Sequence, residues 1–167
     1  HELSYDKFHT KASQIYRLVT DVKTPTEVIN ADITSAPMAL HMKSTFPEVL
    51  DAVRLVDFDL LVEKGASQWQ EKNALMADPS IFKVFDFPLI KGNPETALQA
   101  PFSLVITEKI AVKYFGDENP LGKPLKLEGE FDGTVTGVIK DVPDNSHIKF
   151  DILISMSTLT EKLNPDQ

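Results

Sequence analysis

The chain predicts an α+β (mixed α/β) fold in which short helices are set among more numerous strands. Two tracts carry the strand signal. Val56, Phe58, Leu60 and Val62 alternate with Asp57, Asp59, Leu61 and Glu63, and Ile148, Phe150, Ile152 and Ile154 alternate with Lys149, Asp151, Leu153 and Ser155. Side chains on a strand point to opposite faces with period two, so both tracts read as half-buried strands. Helical periodicity is brief by comparison, and the two element types interleave without regular strand–helix–strand winding.

In chain order, residues 4–12 predict a short helix with Tyr5, Phe8 and Ala12 on one side. Residues 15–22 read as a strand stopped near Pro25, and residues 28–33 as a second. A helix suits residues 36–45, because Pro37 is tolerated in a first turn and Phe46-Pro47 ends it. The first alternating tract, within residues 49–63, is succeeded by Lys64-Gly65-Ala66, a turn into residues 68–76 that makes a loose hairpin. Pro79 starts a helix through Phe85, and Pro88, Gly92 and Pro94 interrupt the next stretch. Residues 102–106 form a strand. Thr107 then caps a helix with Glu108 near its positive end, Ile110, Ala111 and Tyr114 as its apolar stripe, and Gly116 as its stop. Pro120 and Gly122 fit the second and fourth positions of a type I turn before a short strand around Leu125 and Leu127. Residues 134–142 are β-rich, and Pro143-Asp-Asn145 turns the chain into the last alternating tract.

The 167 residues suffice for one ordinary domain or two small lobes, and 42% hydrophobic with 25% charged residues are globular values. A formal net charge of −8 argues against nucleic acid or anionic lipid headgroups as a main partner. The absence of cysteine excludes disulfides, thiol nucleophiles and Cys-ligated metal sites. No apolar run approaches the ~20 residues needed to cross a bilayer, and no signal peptide opens the chain.

Candidate chemistry is sparse. His1, His9, His41 and His147 show no metal-like spacing and read as surface or capping histidines. Asp57 and Asp59 share a strand face but lack a third convergent group, so a solvated face explains them. Gly116 to Lys123 resembles a phosphate-binding loop, except that five residues separate its glycines and Pro124 stands where the magnesium-binding hydroxyl belongs. Asp117, Asn119, Gly122 and Glu128 fall on calcium-loop positions, which Leu121 and two prolines spoil. A turn after a helix accounts for both. Ser103, Ser146 and Ser155 have no nucleophile context. No catalytic residue, metal or cofactor is expected. Trp69, Phe82, Phe85 and Phe87 form the one aromatic group that could line a hydrophobic ligand surface, although such spacing also suits a core.

The most distinctive stretch is Thr107-Glu-Lys-Ile-Ala-Val-Lys-Tyr-Phe-Gly-Asp-Glu-Asn-Pro-Leu-Gly-Lys123, with Gly137-Val-Ile-Lys-Asp-Val-Pro-Asp-Asn-Ser-His147 after it. Its order of strand, helix, glycine, acidic residues, Asn-Pro-Leu-Gly-Lys and strand resembles the MacB-type periplasmic core domain of FtsX-like ABC transporter permeases. Ser4-Tyr-Asp-Lys-Phe-His9 with Ile15-Tyr-Arg17 resembles the segment just after the first membrane helix of that family. Ser35-Ala-Pro-Met38 through Phe46-Pro-Glu-Val49, Phe82-Lys-Val-Phe-Asp-Phe-Pro-Leu89 and Phe150-Asp-Ile-Leu153 keep the family's order. The resemblance covers nearly the whole chain and is strongest to the branch common in Bacteroidetes-like bacteria.

The resemblance implies a porter-like lobe from residues 1–50 with 131–167, and a smaller inserted α/β lobe over residues 51–130. Family domains continue beyond the Phe150 tract, whereas this chain stops at Asn164-Pro-Asp-Gln167, which implies a porter-like lobe shortened on its C-terminal side. It also implies a non-catalytic, periplasmic domain of a bacterial inner-membrane protein. Its partners would be a second permease copy, a cytoplasmic ATPase reached through membrane helices and, in exporters, a periplasmic adaptor or outer-membrane component. The rival from another class is a freestanding extracytoplasmic module that binds a peptide or lipid on the Trp69, Phe82, Phe85 and Phe87 surface.

Overall fold

The strands of this chain close on themselves. The computed structural model describes residues 5–31 and 33–163; His1, Ser4, Asp32 and residues 164–167, which enter the expectations above, lie outside them. The described elements are a 3₁₀ turn at Ala12–Gln14, β1 (Thr20–Lys23), β2 (Val28–Ala31), α1 (Met38–Thr45), β3 (Leu55–Lys64), β4 (Ser67–Ala77), α2 (Ile81–Val84), β5 (Leu89–Lys91), β6 (Ser103–Thr107), α3 (Glu108–Phe115), β7 (Pro124–Leu127), β8 (Phe131–Ile139), β9 (Ile152–Ser155) and α4 (Ser157–Leu163). This is the α+β fold that the sequence predicts.

β1 and β2 make a separate antiparallel pair, while the other strands form one sheet in the order β5-β8-β6-β9-β4-β3-β7, with β7 also paired to β8. That last ladder makes a ring. β8 has the length to do it: Phe131–Thr134 pairs with β7, while Thr134–Ile139 pairs with β6 across the other edge. β6–β8 and β4–β9 run parallel and the remaining ladders antiparallel, so the sheet is mixed. These ladders cross residue 130 and join residues 55–127 to residues 131–155 in one sheet.

Two bulges set which side chains enter the ring. In β4 the pairing moves from Phe58↔Ala74 to Leu60↔Glu71, so one extra β4 residue puts Glu71 and Ala74 on the same face. In β8, Val135 and Gly137 pair with successive β6 residues, leaving Thr136 bulged; its hydroxyl donates to the Ala97 and Leu104 carbonyls. The inner cluster then draws on every ring strand: Leu60, Val62, Ala74, Leu104, Ile106, Leu125, Leu127, Val135, Ile152 and Ile154 are all buried. Ile110, Tyr114 and Phe115 of α3 join it, so the helix closes one mouth of the ring. A second cluster lies outside the sheet, where Leu75, Ala77, Val105, Ile139 and Leu153 meet Ile81, Phe87, Leu98 and Phe150. Each fully buried valine, leucine, isoleucine or phenylalanine among them contributes about 1.5–3 kcal/mol by leaving water.

Several expectations need correction. Residues 5–10 form turns and Ala12–Gln14 a 3₁₀ turn, not a helix over 4–12. The β3–β4 hairpin is tight, not loose: Lys64 pairs with Ser67, and Gly65 at φ 61° takes the first central position of a two-residue turn. The turn near Pro120 is shifted by one residue, because Lys123 N–H bonds Pro120 C=O and Gly122 sits third with φ 76°, as a type II turn requires. The last alternating tract is a strand only over Ile152–Ser155. Lys149 Nζ donates to the Pro143 and Asp144 carbonyls and curls residues 143–149 into a loop. β9 lies between β6 and β4 and is buried on both faces, so alternation there does not mark solvent. β5 and α4 have no counterpart among the elements that the sequence predicts.

Candidate functional site

The N-terminal segment meets the body of the molecule through partners far away in sequence. Asp6 N–H donates to Asn145 C=O (2.9 Å), while His147 N–H donates to Asp6 Oδ1 (3.0 Å) and the His147 ring Nδ1 lies 2.6 Å from Asp6 Oδ2. Asp6 takes the left-handed conformation at φ 54°, which a short polar side chain tolerates. On the other side, Thr10 N–H and hydroxyl both donate to Asp86 Oδ2 (2.5 and 2.9 Å), and Lys11 Nζ donates to Lys83 C=O (3.0 Å). The segment is thus tied to the loop after α2 and to the 143–147 turn.

Between these two polar clasps lies His9, only 3% exposed. Its ring sits 5.2 Å from both Phe85 and Phe87 and beside Phe8, and Phe87 in turn stacks edge-on against Phe150 at 5.0 Å. Asp86 N–H donates to His9 Nδ1 (3.0 Å), which places the imidazole proton on Nε2. That nitrogen is buried and has no partner among the described residues. Burial holds the His9 pKa below its ordinary value, against the opposite pull of Asp6 and Asp86. Asp86 is held below the carboxylate range by the Thr10 N–H and hydroxyl. Asp6 is also lowered: burial pushes it up, but the His147 N–H and ring outweigh this.

His9 is therefore a core histidine and not the surface or capping group expected. The signal in the sequence is faint. Phe85-Asp86-Phe87 alternates ring, carboxylate, ring, and Phe8-His9 offers a matching pair, yet neither pattern names its partner. His147 is exposed and its ring faces Asp6; His41 is an exposed residue of α1.

Of the four aromatic residues singled out in the sequence, Phe82, Phe85 and Phe87 come together on the outer cluster. Trp69 does not join them. It belongs to the inner side of the sheet, 4.7 Å from Tyr114. There, Glu71 is buried and accepts from both Tyr114 OH and Lys113 Nζ at 2.5 Å, with Lys113 Nζ 5.9 Å from the Trp69 ring. Burial, then Glu71, pushes the Tyr114 phenol far up. The arrangement fixes α3 over the mouth of the ring.

A cleft of about 400 Å³ opens beside Phe115, lined by Lys64, Lys123, Lys126 and Asp132 among others. Its cations are engaged: Lys64 Nζ donates to Tyr114 C=O (2.6 Å), Lys123 pairs with Glu118 and Lys126 with Asp132. This is where the phosphate-loop and calcium-loop near misses fall, and the structure makes a turn of both. Asp57 and Asp59 remain exposed on the face of β3 away from Leu60 and Val62. Among the described residues, no group of three or more His, Asp or Glu could hold a metal ion, and no helix is long and apolar enough to cross a membrane.

Comparison with protein families matches residues 2–167 to the MacB-like periplasmic core domain. No curated protein matches the chain. Among solved structures, the chain is similar to a domain of a protein described as a permease from Porphyromonas gingivalis, with 28% identity and a TM-score of 0.69 over 83% of this chain and 60% of that one. It shares its fold with the periplasmic region of MacB from Actinobacillus actinomycetemcomitans (18% identity, TM-score 0.60, 76% of this chain and 57% of that one). The same holds for the extracellular domain of the noncanonic ABC-type transporter YknZ from Gram-positive bacteria (17%, TM-score 0.53, 67% and 57%). The chain thus spans less than two thirds of each of these solved domains.

Proposed function

The chain belongs to the family of MacB-like periplasmic core domains, and from that premise we propose that it is the non-catalytic, extracytoplasmic part of an ABC transporter permease that passes ATP-driven motion on to substrate export or release. ATP hydrolysis would reside on a cytoplasmic subunit, with a second permease copy as its symmetric partner and a periplasmic adaptor or outer-membrane component beyond. The single observation that carries the coupling is the clasped N-terminal segment. Residues 5–11 hold the end of α2 with the loop after it and the 143–147 turn at once, and a membrane helix directly before this segment is what the resemblance would imply. A displacement entering there reaches the sheet through fixed contacts, as coupling between distant sites requires. The division into a porter-like lobe of residues 1–50 with 131–167 and an inserted lobe of residues 51–130 is proposed on the resemblance alone, and the closed sheet runs across its boundary at residue 130.

The test is made on the full permease with its ATPase subunit in lipid vesicles. Replacing both Thr10 and Asp86 by alanine removes one clasp and leaves the ring intact. Coupling predicts ATP turnover altered by roughly fivefold or more; an unchanged turnover in a correctly assembled transporter rejects the reading. The ligand-binding alternative finds less support, because Phe8 and His9 of the chain itself lie against the Phe82, Phe85 and Phe87 group where a ligand would rest.

A further inference from the structure

We propose that the N-terminal segment is an acid-released latch: protonation of His9 frees residues 5–11 from the loops at 83–87 and 143–147 while the ring of strands stays folded. The geometry at His9 leaves no place for a second ring proton. Nδ1 already accepts the Asp86 N–H at 3.0 Å, so an imidazolium, which has only donors, turns that contact into one donor facing another. Nε2 is sealed beneath aromatic rings with no acceptor among the described residues. A buried cation without a hydrogen-bond partner is expelled and not tolerated.

Charged groups face His9 from both sides. Asp6 lies on its own segment and Asp86 on the opposing loop, and both favour the cation by their charge. Neither is hydrogen-bonded to the ring's Nε2: Asp86 Oδ2 accepts from Thr10, Asp6 Oδ1 accepts from the His147 N–H, and Asp6 Oδ2 faces His147 Nδ1. Lys11, close by, is spent on the Lys83 carbonyl and adds like charge. Burial outweighs the two carboxylates, so docking favours the neutral imidazole over the cation.

A histidine whose pKa is depressed in the docked state favours docking fully above the undocked value of about 6.5, and loses that contribution as pH falls from there through the docked value. Latch release is thus an event of mild acidity, confined to a segment held by two polar clasps and by the aromatic contacts of Phe8 and His9. The ring, held by its own closed ladders, has no histidine in it.

The experiment is an NMR titration of the 167-residue chain from pH 7.5 to 5.0. The His9 ring is expected to titrate below about 6.5. The Thr10 and Asp86 amides should lose roughly tenfold or more of their exchange protection in the same interval, while Leu104, Val105 and Ile106 keep theirs. His9→Phe fills the aromatic site with a ring that takes no proton; the Asp86 amide loses its acceptor there, and the Thr10 amide should keep a protection independent of pH. A His9 that titrates at or above the ordinary value, or loop and ring amides lost together, overturns the latch; should the phenylalanine variant dock poorly, the wild-type titration still decides. The relevance to transport rests on the coupling reading above, but release is read in the chain alone, so each can fail without the other.

Discussion

Asp141, two residues beyond the end of β8, accepts a hydrogen bond from the Lys109 backbone N–H at 3.0 Å. It thereby caps α3 from across the fold and ties together the two halves of the most distinctive stretch of the sequence. Thr107 occupies the N-cap position with extended backbone, yet its side chain makes no capping bond, and its hydroxyl is buried without a partner among the described residues. Asp141→Ala is therefore expected to cost about 1 kcal/mol in urea unfolding. Thr107→Val should be neutral or stabilising, since it replaces an unsatisfied hydroxyl by a methyl group. A costly valine beside a harmless alanine would return the cap to Thr107.

Glu71 should be the most sensitive charge in the chain. Glu71→Ala leaves Tyr114 OH without its acceptor and Lys113 without its counter-ion, over the mouth of the ring. The loss is expected at about 2–3 kcal/mol by denaturant titration. Trp69 emission should shift as well, because the indole packs on the Tyr114 ring that the carboxylate positions. A variant as stable as the parent, with unmoved emission, contradicts this account of α3.

Gly92 is needed for space as well as conformation. Its φ is 94°, and a β-carbon there would lie 2.4 Å from the Thr136 carbonyl oxygen, at the bulge of β8. Backbone cannot yield as a side chain would. Gly92→Ala is expected to lower stability by at least about 2 kcal/mol, read from thermal unfolding. Gly65→Ala, with a φ of 61° but open space around it, should cost about 1 kcal/mol. Equal losses at the two sites would remove the steric argument.

Arg54 and Asp78 close the far end of the β3–β4 hairpin. The guanidinium Nε and Nη2 meet Asp78 Oδ2 and Oδ1 at 2.9 and 2.7 Å, and the Arg54 N–H also reaches Oδ2. The Asp78 hydrogen bond raises the guanidinium pKa, burial opposing it. Arg54→Lys keeps the charge and loses the fork. It should cost about 1 kcal/mol in unfolding titrations at both low and high salt. A loss that vanishes with salt would reduce the pair to simple charge attraction.

Where local chemistry decides the structure, the sequence can be read. Pro37 and Phe46-Pro47 bound α1, the Val56–Val62 alternation lies in β3, and Ile110, Tyr114 and Gly116 define α3 and its stop. Distance in sequence hides the rest. Nothing in Leu125 or Leu127 announces that β7 meets both β3 and β8, and the bulges at β4 and β8 reverse the facing of residues beyond them. Trp69 and Phe82 belong to neighbouring elements of the chain but sit on opposite sides of the sheet. The burial of His9 is hidden for the same reason: Phe8 beside it covers one side, but Phe85 and Phe87, far along the chain, complete it.

The closed ring also limits how this domain can meet other chains. Strand edges are the usual adhesive of β proteins, and here β6 and β9 have both edges engaged along most of their length, while β3 meets β7 only at Val62 and Glu63 and β4 meets β9 only from Ala74 to Ala77. Among the described residues, the open borders are the three-residue β5, the detached β1–β2 pair and the stretches of β3 and β4 that lie beyond their β7 and β9 pairings. Growth of the sheet into a neighbouring copy is thus limited to these partial borders, and broader contact falls to side chains. A domain built this way offers limited backbone to which another chain could weld itself.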